Sequence, residues 1–134
     1  MPDAKDFFKE YCKFVDSVTC EDSANDQSSF ERMHMLSDQL GGHYARFDNA
    51  MAGLAGEAGE CADLWKKLKY HRKDFNEETR QKIIDELGDI CWYVANASIA
   101  LGVDMDDIIR RNVEKLHARH PHGYSPEYLK NKSA

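Results

Sequence analysis

Glu57 and Glu60 in GLAGEAGE, and Glu86 and Asp89 in DELGD, make two carboxylate pairs at i,i+3 spacing. On a helix that spacing puts both members of a pair on one face. Carboxylates that leave water normally protonate, pair with a cation or bind metal. Four of them converging, with no His or Cys set at ligand spacing, form an all-oxygen donor set that suits Mg²⁺ or Mn²⁺ rather than Zn²⁺. Spacing alone decides nothing, because 24 acids in 134 residues give about four such pairs by chance, and a solvated acidic face is the ordinary outcome.

The faces on which the pairs lie are more informative. With Leu54 at zero on a helical wheel, Cys61, Leu64, Trp65 and Leu68 fall between about 280° and 20°, Glu57 at about 300° and Glu60 at about 240°. With Ile83 at zero, Leu87, Ile90, Val94 and Ala97 span about 320° to 40°, Glu86 falls at about 300° and Asp89 at about 240°, beside Tyr93. Both pairs therefore edge an apolar stripe. On the last helix Asn112, Lys115 and Arg119 share the arc of Ile108, Ile109 and Leu116. Acids that hold metal, set beside Lys and Arg, compose a site for phosphate oxygens and for charge that develops on them. The competing reading is a salt-bridge network inside the bundle.

The elements that must position these residues are all helical. Residues 3–18 carry Phe7, Phe8, Tyr11, Phe14, Val15 and Val18 at helical spacing, and the polar run CEDSANDQSS interrupts them. A short helix over 28–39 ends at Gly41-Gly42, and a long one runs from Asp48, as N-cap, to Tyr70. Gly53, Gly56 and Gly59 in that helix imply close approach of another helix or of a ligand, since each costs about 1 kcal/mol relative to Ala. HRKDFN is a loop, Asn76 caps a helix over 77–101, Gly102 stops it, and Asp104 caps a last helix that Pro121 ends. With no period-two run of β-branched residues, the spacing predicts an all-α bundle of four or five helices in one domain, 1–134.

Composition narrows the classes further. A formal charge of -6 and the lack of a long uncharged apolar stretch argue against nucleic acid and membrane as partners. The charged N-terminus is no secretory signal, which places the chain in the cytoplasm. Cys12, Cys20, Cys61 and Cys91 form no CxxC and read as reduced core thiols. Trp65 and Trp92 read as core residues, and His117, His120 and His122 as a surface cluster.

The spacing Glu57-x2-Glu60, twenty-five residues, Glu86-x2-Asp89 resembles the ExxE and ExxD motif of the MazG-like all-α nucleoside triphosphate pyrophosphohydrolases. GLAGEAGE, WKK, ELGDICWYVANASIALG and NVEKLHARHPHGY look like the single-domain members from tailed phages and bacteria, and FVDSVT extends the likeness toward the N-terminus. The resemblance implies that Glu57, Glu60, Glu86 and Asp89 bind the metal, Mg²⁺ with Mn²⁺ as a substitute. It implies that Lys115, Arg119 and Asn112 contact the substrate and that Tyr93 touches the nucleotide. Lys67, on the Glu60 side of its helix, is the better candidate of the WKK pair for a phosphate. His120 and the HRKDF loop depart from the usual family pattern of a Tyr and a Gly-Lys loop, and bear on substrate selection.

The implied activity is Mg²⁺-dependent hydrolysis of ribo- or deoxynucleoside triphosphates to the monophosphate and pyrophosphate, for nucleotide pool control or house-cleaning. The setting would be the host cytoplasm for a phage-encoded chain. The alternative is a non-catalytic helical oligomerisation or regulatory module that binds nucleotide or metal. Apolar residues around more than a third of the 77–101 helix, together with the aromatic stripe near the N-terminus, predict a homo-oligomer, a tetramer in preference to a dimer.

Overall fold

The computed structural model describes residues 3–127. Within them the chain forms six helices: α1 (Ala4–Ser17), α2 (Glu21–Ala24), α3 (Asp26–Gln39), α4 (Tyr44–Tyr70), α5 (Glu77–Leu101) and α6 (Met105–Arg119). No strand occurs among the described residues, in keeping with the all-α expectation. The helix count exceeds that expectation by the single turn of α2. Ser, Asp and Asn dominate CEDSANDQSS, and they are capping residues as well as loop residues. Asn25 accepts a hydrogen bond from the Ser28 N–H at 2.9 Å, so α3 starts two residues earlier than its apolar pattern. The Ser28 hydroxyl also donates to Asp22 across the α2–α3 junction at 2.6 Å.

The chain divides into two compact units, Met1–Tyr44 and Ala45–Ala134. In the first, α2 packs on α3, and the aromatic stripe of α1 is exposed, with Phe7, Phe8 and Phe14 each above 60%. No helix among the described residues is long and apolar enough to cross a membrane.

Helix α4, all but its first residue in the second unit, begins at Tyr44, four residues before the expected N-cap at Asp48. Gly41 and Gly42 hold φ of 63° and 86°, which completes the turn after α3 and lets the next helix start at once. Asp48 then lies within α4 near its N-terminus, where a negative charge still complements the helix dipole. At the other end Arg72 takes a left-handed φ of 53°, and the Lys73 N–H reaches back to the Lys67 carbonyl at 3.2 Å, closing the helix as a Schellman-type cap does.

Six residues, 71–76, connect α4 to α5. Asn76 caps α5 as expected, accepting from the Thr79 N–H at 2.9 Å, and Thr79 is buried. Gly102, at φ 68°, ends α5. The Asp107 carboxylate accepts from the Asp104 N–H at 3.2 Å at the start of α6, which packs against α5.

Helices α4 and α5 run antiparallel. The Arg46 guanidinium donates to Asn96 at 2.8 Å, the Tyr93 ring lies on Gly53, and Glu57 and Glu60 meet Glu86 further along. Among the described residues the buried apolar ones are three alanines, Ala50 on α4 and Ala97 and Ala100 on α5. Side chains this small cover little surface. Trp65 and Trp92 are therefore 60% and 57% exposed in this chain, against the expectation that they are core. Cys12, Cys20 and Cys91 are exposed and Cys61 is half-buried, so none is the core thiol expected. The apolar stripes are wider than the contact that one neighbouring helix makes.

Candidate active site

The antiparallel pairing brings the two acidic motifs face to face. Glu57, Glu60 and Glu86 each offer one carboxylate oxygen, and these oxygens lie within 4.8 Å of one another. Glu57 and Glu86 are half-buried while Glu60 is exposed. One oxygen of Glu57 and one of Glu86 are shielded from solvent and accept no hydrogen bond. A shielded carboxylate oxygen without a donor is costly, and two of them facing one another demand a proton or a cation.

The electrostatics agree. The neighbouring Glu57 carboxyl, followed by partial desolvation, holds the Glu86 carboxyl above the usual range. The Glu86 carboxyl and its charge do the same to Glu60. Burial, followed by the charges of Glu86, Glu57 and Glu60, pushes the Cys61 thiol up. A thiol held protonated is a poor metal ligand, which leaves an oxygen donor set. Asp89 lies outside the trio, yet its charge contributes to raising both Glu60 and Glu86. A divalent cation with a preference for oxygen fits these residues: it would satisfy the donorless oxygens and relieve the repulsion together.

A pocket of about 480 Å³ opens beside the acids. Its walls include Gly56, Gly59, Glu60, Asp63, Lys82 and Glu86, and a volume of that order suits a small molecule. Neither Gly56 nor Gly59 has another group within 4 Å of where its Cβ would sit, so these two glycines border open space. Sequence reasoning passed over Asp63 and Lys82. The signal was available for Lys82, which stands four residues before Glu86 and hence on the same face of α5.

The remaining sequence candidates take other positions. Lys67 pairs with Asp63 at 2.8 Å, which holds the Asp63 carboxyl below the usual range, chiefly through the hydrogen bond. Tyr93 packs on Gly53 and meets Trp92 edge-on with ring centroids 4.9 Å apart. On α6, Asn112 and Lys115 are exposed, while Arg119 and Ile108, which share their arc, are half-buried. Among the described residues Lys115 forms no ion pair with the acidic trio. His117 and His122 are exposed, and His120 stacks loosely on Tyr124 at 6.0 Å.

The MazG nucleotide pyrophosphohydrolase domain matches residues 46–124, which hold both acidic pairs, the pocket and the basic residues of α6. The chain belongs to the MazG family. Among characterised sequences it is similar to the Gene 37 protein of Mycobacterium phage L5, with 39% identity over 72 residues. That match spans 53% of this chain and 63% of the phage protein's length. No solved structure gives a significant match. The MazG domain is an all-α fold, in keeping with the helices seen here, and its family is that of the nucleotide pyrophosphohydrolases.

Proposed function

We propose that this chain is a Mg²⁺-dependent nucleoside triphosphate pyrophosphohydrolase, with Mn²⁺ able to replace Mg²⁺, acting in nucleotide pool control or house-cleaning. The observation that carries the reading is the pair of shielded, donorless oxygens of Glu57 and Glu86 beside Glu60. Glu57, Glu60, Glu86 and Asp89 would hold the cation. When bound, it supplies positive charge to phosphate oxygens and makes water more acidic.

The chain's own residues do the rest. Glu57, shielded and short of donors, accepts the proton of the attacking water. The water oxygen bonds to phosphorus as the P–O bond of the α–β anhydride breaks, and the products are nucleoside monophosphate and pyrophosphate. Lys115 and Arg119 stabilise the charge on the departing pyrophosphate, Asn112 and Lys67 hold phosphate oxygens, and Tyr93 borders the nucleotide. For the exposed α6 residues to do this, a second copy of the chain would complete the site, consistent with a homo-oligomer.

The test is a screen of ribo- and deoxynucleoside triphosphates with Mg²⁺ in which the products are resolved. Monophosphate with pyrophosphate is expected. Diphosphate with orthophosphate, or no turnover on any triphosphate, overturns the reading and favours a non-catalytic nucleotide-binding module.

A further inference from the structure

Of the three glycines spaced along α4, only Gly53 has its missing side chain accounted for by a neighbour. A Cβ built there would meet Cε1, Cζ and Cδ1 of Tyr93 closer than real Cβ atoms approach other groups, whereas Gly56 and Gly59 have nothing within 4 Å. The aromatic ring of α5 thus occupies the volume of the absent methyl on α4. Tyr93 is itself half-buried and braced edge-on by Trp92, so the ring cannot turn aside freely.

The location of this contact matters more than its tightness. Gly53 stands one turn before Glu57, and Tyr93 one turn after Asp89. The contact is the layer next to the carboxylates, and the Arg46–Asn96 hydrogen bond pins the same pair of helices beyond it. Between that bond and the acids, the seat of Tyr93 on Gly53 fixes how far apart α4 and α5 lie.

We propose that Gly53 is a positioning residue for the metal site: by admitting the Tyr93 ring it sets the helix separation at which Glu57, Glu60 and Glu86 converge. The inference rests on the metal reading above. Oxygen–Mg²⁺ bonds tolerate little variation in length, so a methyl that wedges the helices apart spoils the donor set without touching it. Residues that orient metal ligands from behind commonly change metal affinity tenfold or more when replaced.

The experiment measures Mn²⁺ binding to the substrate-free protein by calorimetry, and melting of the metal-free protein, for wild type, Gly53→Ala, Tyr93→Ala and the double variant. Gly88→Ala serves as control, since nothing lies within 4 Å of its Cβ position. Gly53→Ala should weaken Mn²⁺ binding by about tenfold or more and lower the melting temperature, although alanine is the better helix former. The double variant should bind within about threefold of Tyr93→Ala, because the clash is gone. Gly53→Ala that binds and melts like Gly88→Ala, or a double variant no better than Gly53→Ala, overturns the proposal. A wild-type protein that binds no Mn²⁺ sinks the metal reading and the positioning role with it, while the melting comparison still shows whether the contact holds the helices.

Discussion

Glu57 and Glu86 stand on antiparallel helices with one oxygen each shielded from water and met by no donor. Two like charges in that arrangement are a strained ground state in the metal-free protein. Replacing one by its amide supplies a donor and removes a charge. Glu86→Gln should therefore raise the melting temperature of the metal-free protein while lowering Mg²⁺-dependent turnover by about a hundredfold or more. Near-normal rates in Glu86→Gln or Glu60→Gln would remove these acids from the active site.

The same pair sets a pH dependence. The carboxyls of Glu60 and Glu86 lie above the usual range in the folded protein, so across that window the native state binds more protons than the unfolded chain. Stability then falls as pH rises through the raised values. Metal-free protein should melt lower at about pH 7.5 than at about pH 5.5, and saturating Mg²⁺ should abolish the difference. A melting temperature that climbs with pH in the absence of metal contradicts the electrostatics described here.

Arg119 and Lys115 separate a phosphate role from a structural one. Arg119→Ala and Lys115→Ala should each raise KM for the triphosphate by about tenfold, with little change in ligand-free melting temperature. A large melting loss with unchanged KM would return these residues to a salt-bridge network.

Among the described residues three alanines are a meagre buried apolar core beside the exposed Phe7, Phe8, Phe14, Trp65, Trp92, Ile99 and Leu101. Covering such surface is worth about 25 cal/mol per Å², so the chain should associate, as a tetramer in preference to a dimer. Light scattering behind a sizing column should give a mass well above 15.4 kDa. An active monomer at every concentration would refute the expectation.

The sequence was legible wherever the deciding interaction is local. Asn76, Gly102 and Asp104 mark helix ends because capping is a matter of neighbouring residues, and the structure places α5 at the expected 77–101. The wheels put Glu57 and Glu86 at the edge of an apolar stripe, and both are half-buried. Asp48 misled because a capping residue also suits the first turns inside a helix. Trp65 and Trp92 were misjudged because a wheel gives the direction of a side chain but not whether any partner lies there. Gly53 was legible as a close approach, but its partner was not, since nothing local ties residue 53 to residue 93.

The six-residue link between α4 and α5 has a consequence for how the chain comes to be folded at all. A helical hairpin of such low contact order forms quickly, whereas association of subunits is bimolecular and slows with dilution. Glu57 and Glu60 therefore meet Glu86 early, on the single chain, while its aromatic residues are still exposed. During that interval the mutual repulsion of the acids opposes closure of the hairpin at a time when the chain is also most prone to aggregate. A divalent cation read by these residues would serve the newly made chain as a folding co-reactant, and its scarcity during synthesis would show first as lost yield.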